Sequence, residues 1–256
     1  MTSSSIPSVP DLLAAAVRTD PARPLVTFYD DATGERVELS VVTTANWAAK
    51  TAGLLLDELE VERGDEVWID LPTHWLTPPW LLAAWSVGAV VRSPALAPLP
   101  ADGPAPAVLV CGPDTLAAHH QTYGAGPTML VALSLRPLGG RFVDPLPDGV
   151  VDFAVAAPGQ PDAFWTPDPP DPDDAAVVGP EGPRSQRDLA ADADPSGSRV
   201  LTDLHPASPE GLRLLLGGLA HGGSAVWVRH PADDSWTART DQERADRVER
   251  AQPTRS

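Results

Sequence analysis

The chain has 256 residues, 43% of them hydrophobic, which is enough for one large globular domain or two small lobes. Its formal net charge of −17 argues against nucleic acids and anionic membranes as partners, because both bind through clustered cationic groups. A single cysteine excludes an internal disulfide, residues 1–20 lack a secretory signal pattern, and the apolar stretches are too short to span a bilayer, so we expect a cytoplasmic protein.

The first half of the chain alternates between helix and strand patterns. A helix is predicted over 10–18, and residues 30–34 are typical of the turn of a β-hairpin. Ser40 is a candidate N-cap for a long helix whose apolar residues recur at helical spacing. The next predicted strands are 66–71, 89–92, 107–111 and 128–133, and the predicted helices are 78–87 and 114–121.

The second half continues this alternation. Its predicted helices are 150–157, 185–193 and 209–221, and its predicted strands are 175–178, 199–204 and 224–229. Residues 158–174 are rich in proline and aspartate and are predicted to form an exposed linker. The alternation favours an α/β fold with mostly parallel sheets flanked by helices. We therefore predict one domain over 1–231, with lobes at roughly 1–157 and 175–231, followed by a polar tail over 232–256 with one charged helix near 241–250.

Several short segments occur in an order and spacing typical of a known family. They are VERGDEV (61–67), WSVGAV (85–90), DDAAVV (173–178), SQRDL (185–189), GSRVL (197–201) and GGLAHGGSAV (217–226). Together they resemble the N-terminal part of the adenylate-forming (AMP-binding, acyl-CoA synthetase-like) enzymes. Within this family the chain resembles the short actinobacterial-type uncharacterised members that lack the phosphate loop. The resemblance covers most of residues 10–230 and implies the fold of the N-terminal lobes of those enzymes.

The phosphate loop is where this sequence departs from the family. In the family, a Ser/Thr/Gly-rich loop ending in Pro-Lys-Gly grips the ATP phosphates with N–H groups, hydroxyls and a lysine. The corresponding segment here is GPEGPR (179–184), in which two prolines cannot donate an N–H and Glu181 repels phosphate. We interpret the segment as a shortened strand-to-helix turn. The residues of this degenerate position that could still bind a ligand are Gly179, Gly182, Arg184 and Ser185.

The remaining functional parts of the family have no counterpart in this sequence. These are the adenine-stacking, metal-associated and ribose-binding segments and the second domain with its catalytic lysine. The single lysine, Lys50, lies on a predicted surface helix. We therefore predict no catalytic residue, no bound metal and no cofactor, which argues against an enzyme.

Other candidate residues have simple structural interpretations. His119 and His120 point about 100° apart on a helix and have no acidic partner nearby in sequence, so we expect surface residues rather than a metal site. Cys111 ends an apolar strand and is expected to be a buried, inert thiol. Three tryptophans spaced by five are expected in the core or at an interface, namely Trp75, Trp80 and Trp85.

Three functions stay open from the sequence. The first is a pseudoenzyme-like, non-catalytic relative of the adenylate-forming enzymes that binds a ligand or partner. The second is a split or residual adenylating enzyme, of the acyl-AMP/acyl-CoA ligase type, that needs a second chain. The third is a structural or oligomerisation protein. We expect a homodimer or an unknown protein partner, held through apolar surface on residues 75–85.

Overall fold

The computed structural model describes residues 6–251 and places eight α-helices and twelve β-strands in them. The helices are α1 (Val9–Thr19), α2 (Val41–Gly53), α3 (Thr77–Ser86), α4 (Pro113–Tyr123), α5 (Phe153–Ala156), α6 (Gln186–Ala191), α7 (Pro209–His221) and α8 (Trp236–Glu243). The first six strands are β1 (Pro24–Asp30), β2 (Glu35–Ser40), β3 (Glu66–Asp70), β4 (Val90–Arg92), β5 (Val108–Cys111) and β6 (Met129–Ala132). The other six are β7 (Val150–Asp152), β8 (Ala175–Gly179), β9 (Gly182–Ser185), β10 (Arg199–Thr202), β11 (Ser224–Arg229) and β12 (Arg247–Glu249).

The strands form two sheets that are mostly parallel. The larger sheet has seven strands in the order β7-β6-β5-β3-β4-β8-β9, and its one antiparallel pair is β8–β9. The smaller sheet has five strands in the order β12-β10-β11-β1-β2, and its one antiparallel pair is the β1–β2 hairpin. Helices connect three pairs of neighbouring parallel strands, β3-α3-β4, β5-α4-β6 and β10-α7-β11, as the alternation in the sequence predicts. The predicted α/β fold is therefore confirmed.

The helix starts follow from the sequence. A serine hydroxyl accepts a backbone N–H at the start of four helices, in the usual N-cap arrangement. These serines are Ser8, Ser40, Ser185 and Ser208. At the other end of α7, Gly222 adopts a φ of +85°, a left-handed conformation that suits glycine and stops the helix. The long predicted helix after Ser40 continues beyond α2 as one turn of π-helix over Leu54–Glu58.

Helix α3 is the centre of the core. All nine residues from Thr77 to Trp85 are buried, because the helix packs against α1 and α2 in a hydrophobic cluster that includes both sheets. Trp80 and Trp85 are fully buried and Trp75 nearly so. The prediction that residues 75–85 expose apolar surface to a partner is therefore wrong, and their tryptophans are core residues.

Two segments differ from the prediction. The predicted helix 150–157 begins instead as strand β7, because its two valines pair with β6, and only Phe153–Ala156 is α-helical. The predicted polar tail contains α8 and then β12, which pairs in parallel with β10. The sheets also divide the chain differently from the predicted lobes, since residues 66–185 supply the larger sheet and both flanking regions supply the smaller one.

The predicted linker over 158–174 is mostly exposed and contains no β-strand or α-helix. Lys50 attaches it to α2, with its Nζ 2.6 Å from the carbonyl oxygen of Gln160 and 3.0 Å from a carboxylate oxygen of Asp162. Within residues 6–251, none of the helices has the length and the hydropathy that a membrane crossing requires.

Candidate functional site

The degenerate phosphate-loop position is a β-hairpin. Gly179 pairs with Gly182 across it, and Pro180 and Glu181 form the turn. Gly182 has a φ of +111°, a backbone conformation that other residues rarely adopt. The sequence interpretation of 179–185 as a simple strand-to-helix turn is therefore wrong, because β9 lies between β8 and α6. The chain turns back tightly at this hairpin. A phosphate loop, in contrast, has several free backbone N–H groups that point toward one position.

The polar side chains at this hairpin already have partners. Arg184 Nη2 donates to a carboxylate oxygen of Asp192 and, at 3.2 Å, to the carbonyl oxygen of Asp188. The Ser185 hydroxyl donates to the Asp188 carboxylate at 2.8 Å and accepts the Asp188 N–H at 3.1 Å. The N–H and hydroxyl of Ser185 and the nearby arginines lower the pKa of the Asp188 carboxyl. One of the four predicted ligand-binding residues, Arg184, lines a cavity of about 210 Å³ together with Asp192. Gly179, Gly182 and Ser185 are not among the residues that line this cavity.

A second group of polar residues lies at the carboxyl ends of β3 and β5. In this sheet β4 and β5 are the two neighbours of β3, one on each side. The chain first continues from β3 to β4 and then crosses to β5, so the strand order reverses between β3 and β5, where a crevice is expected. The crevice has a volume of about 180 Å³, and Asp70, Asp114 and Thr115 lie along it. Nε2 of His119 is 2.7 Å from Oδ2 of Asp70. The prediction that His119 has no acidic partner is therefore wrong: the partner is distant in sequence but adjacent in the fold.

Two further histidines are uncharged, of which His74 is buried and His205 is half-buried. His205 donates from Nε2 to the carbonyl oxygen of Leu71 at 2.8 Å, and its Nδ1 accepts the Ala207 N–H, so it connects the end of β10 to the end of β3. Burial lowers the pKa of the His205 imidazole. His74 accepts the Leu76 N–H at Nδ1, and burial lowers its pKa to about 3. Both rings therefore act as neutral structural groups near pH 7.

Cys111 behaves as the sequence predicts. It is fully buried at the end of β5, and burial raises the pKa of its thiol to about 12. It is therefore an inert core residue, since the thiolate is the reactive form. Among residues 6–251, no three His, Cys, Asp or Glu side chains are grouped so that they could hold a metal ion.

The smaller sheet carries an ionic network that the sequence analysis missed. Glu243 at the end of α8 is almost completely buried and accepts hydrogen bonds from Tyr29, Arg36 and Arg199. Burial alone would raise its pKa, but these hydrogen bonds outweigh it and lower the pKa of the Glu243 carboxyl to about 2. A cavity of about 500 Å³ opens beside the network. The one available sequence signal was Arg36 and Glu38, which share a face of β2 because strand residues alternate.

The two sheets and the core they share have the fold of the N-terminal lobes of adenylate-forming enzymes, as the resemblance in sequence implied. The crystal structure of an acyl-CoA synthetase from Brucella canis matches with a TM-score of 0.74 at 15% identity, over 95% of this chain and 47% of that chain. A benzoate CoA ligase from Burkholderia xenovorans LB400 matches with a TM-score of 0.71 at 15% identity, over 94% of this chain and 49% of that one. An acetoacetyl-CoA synthetase from Streptomyces lividans matches with a TM-score of 0.68 at 19% identity, over 95% and 42%.

The chain therefore spans about half the length of these solved structures, and at such identities the likeness shows the fold alone. A relative of similar length has a closer sequence: a TIGR03089 family protein from Mycobacterium tuberculosis (strain ATCC 25618 / H37Rv) is 38% identical over 244 residues, 93% of this chain and 96% of the relative. This chain belongs to the TIGR03089 family. No family model matches it.

Proposed function

We propose that this protein is a non-catalytic, pseudoenzyme-like relative of the adenylate-forming enzymes that works in the cytoplasm by binding a partner or small ligand. The observation that supports this best is the hairpin at 179–185. Its guanidinium and hydroxyl groups are hydrogen-bonded to Asp188 and Asp192, so a pyrophosphate would have to displace two carboxylates to reach them.

The electrostatics of the hairpin argue in the same direction. A phosphate group placed against Arg184 would meet the Asp192 carboxylate, with the Asp188 carboxylate close by, and the turn itself adds Glu181. Pro180 and Pro183 remove two of the backbone donors that a phosphate-binding loop would use. Donors aimed at developing charge supply several kcal/mol of transition-state stabilisation in enzymes, and this hairpin lacks them.

A pyrophosphate-exchange assay with ATP and a broad panel of carboxylic acids tests the proposal. We expect exchange at background for the wild type and for Arg184→Ala. The matched control is Arg187→Ala, since Arg187 is a neighbouring half-exposed arginine paired with Asp173. Exchange clearly above background that is lost in Arg184→Ala and kept in Arg187→Ala would overturn the proposal.

The second candidate is a split adenylating enzyme in which another chain supplies the missing groups. It is favoured by one observation: the solved ligases that match this chain are about twice as long. This candidate requires that the chain itself bind ATP through the phosphates. Calorimetry with ATP and with adenosine separates the two candidates, because binding of ATP alone would favour the split enzyme.

A further inference from the structure

A groove of about 650 Å³ lies between α1, α2 and the linker. It is larger than the three cavities of about 500, 210 and 180 Å³ described above. Its floor on α2 is made of small side chains, including Ala45 and Ala48. The half-buried side chains of Leu13 and Val17 form one wall on α1. Small side chains allow a packed helix to approach α2 closely, so this floor suits a helix at the usual interaxial distance of about 8–10 Å.

The linker supplies the other wall and an exposed aromatic ring. Trp165 is 77% exposed, although its neighbour Phe164 packs partly against the core. An indole of this size loses the hydrophobic stabilisation of burial when it faces water. Tryptophan is also the residue type most enriched among the energetically dominant contacts of protein interfaces. Its exposure beside an apolar groove therefore indicates a contact surface rather than a packing residue of this chain.

The charges around the groove select the kind of partner. Two of the residues that line it are acidic, Asp11 and Asp162, and none is a lysine or arginine. Lys50 neutralises Asp162 from outside the groove. Asp11 accepts a hydrogen bond from the Ser8 hydroxyl at 2.7 Å and keeps its negative charge available to a partner. The chain as a whole carries −17, so a second copy is repelled while a cationic partner is attracted.

We propose that this groove binds a short amphipathic helix of a partner protein, with an apolar face toward α1 and α2 and cationic residues at its edges. This inference rests on the proposed role in partner binding and names the partner's chemistry. Helix α1 has 11 residues and is therefore ~16 Å long, so a partner helix of about three turns covers the groove. Recognition of this kind uses apolar anchors spaced three and four residues apart.

Selection from a display library of random peptides of about four helical turns tests the proposal. The full chain is the target, and an Ala45→Trp variant, which fills the groove, is the counter-target. We expect enriched sequences to have apolar residues at three- and four-residue spacing and a net positive charge. No enrichment over the Ala45→Trp variant, or enrichment of acidic or irregularly spaced sequences, would overturn the proposal.

Point variants then place the binding site. Trp165→Ala should weaken the selected peptides about tenfold or more, as expected for a dominant interface residue. The matched control is Val143→Ala, because Val143 is 76% exposed and does not line the groove. Equal binding by Trp165→Ala and wild type contradicts the assignment, and so does a concentration-dependent dimer that Trp165→Ala dissociates. Pyrophosphate exchange is measured separately. Exchange above background would contradict the proposed non-catalytic function, whereas absence of peptide binding would contradict the groove proposal.

Discussion

Two polar segments of this protein, the linker over 158–174 and the C-terminal segment over 232–251, have different roles in the fold. Each contains one tryptophan: Trp165 in the linker is 77% exposed, whereas Trp236 is 8% exposed in a cluster with Leu201 and Val226. The C-terminal segment also adds β12 to the smaller sheet. Both segments are polar, but one lies on the surface and the other completes a sheet.

The ionic contacts of the two segments explain this difference. The linker is held by pairs that include Lys50 with Asp162 and Arg63 with Asp168. The two aspartate side chains are 66% and 69% exposed, so these pairs are screened by water. The C-terminal segment is held by Arg36 and Arg199 on Glu243, whose side chain is 4% exposed. A buried carboxylate is costly without its partners, so the second segment depends on its ion pairs far more than the first.

The largest expected effect comes from the two tryptophans. Trp236→Ala should lower the free energy of unfolding by about 3–5 kcal/mol, because it opens a cavity under α8. Trp165→Ala should change it by less than about 0.5 kcal/mol, since an exposed ring leaves no cavity. Urea unfolding followed by circular dichroism measures both. Comparable losses would show that the linker is as well packed as the C-terminal segment.

The ion pairs should give the next largest effect. Arg199→Met leaves Glu243 buried with fewer partners and should cost about 3 kcal/mol. Lys50→Met breaks an exposed pair and should cost less than about 1 kcal/mol. The double variant Arg199→Met/Glu243→Gln should recover part of the loss, because it removes the uncompensated charge. A double variant less stable than Arg199→Met alone would argue against this account.

The fold could be predicted from the sequence because its signals are local. The serine N-caps, the proline-led helices and the apolar strand runs each lie within a few residues of the element they specify. The errors occur where a distant partner decides the structure. Val150 and Val151 become a strand because β6 offers an edge, and the polar residues after Ala232 dock because Arg36 and Arg199 hold Glu243.

The candidate site divides in the same way. The loss of the phosphate-binding groups at 179–184 is visible in the sequence. The segment has no serine or threonine to supply a hydroxyl, and its two prolines cannot supply an N–H. The pairing of His119 with Asp70 is not visible, because 49 residues separate them and the fold of the sheet brings them together. The sequence likewise gave no indication that α1, α2 and the linker would enclose a groove.

Acid titration should separate the two segments more finely. The Glu243 pKa is lowered from 4.5 to about 2, so its ion pairs stabilise the fold fully above pH 4.5 and are lost as the pH falls through 2. By about pH 3 this costs roughly 2 kcal/mol, which the Glu243→Gln variant should not lose. Asp173 in the linker also has a lowered pKa, because Arg187 pairs with it, but it is exposed. Asp173→Asn should therefore keep the wild-type acid dependence, and a flattened curve would contradict this.

Limited digestion with chymotrypsin should show the smallest difference in free energy between the two segments. It compares how readily the protease reaches the backbone of each one. The protease cuts after aromatic residues in backbone that can open locally, and local opening needs little free energy where few groups are buried. We expect the first cut after Phe164 or Trp165, while Trp236 is protected by its cluster and by the β10–β12 pairing. The two fragments should stay associated, because the pairings of β4 with β8 and of β1 with β11 join residues on opposite sides of the cut.

The Lys50→Met variant sharpens this experiment. It removes the contacts to Gln160 and Asp162 that attach the linker to α2, so the cut after Trp165 should become a few-fold faster. The cut after Trp236 should keep its wild-type rate, since Lys50 does not contact α8. Mass spectrometry of timed samples identifies each cut. A first cut after Trp236 would contradict the expected protection of the C-terminal segment. Equal acceleration at both tryptophans would likewise mean that the two segments are attached with similar strength.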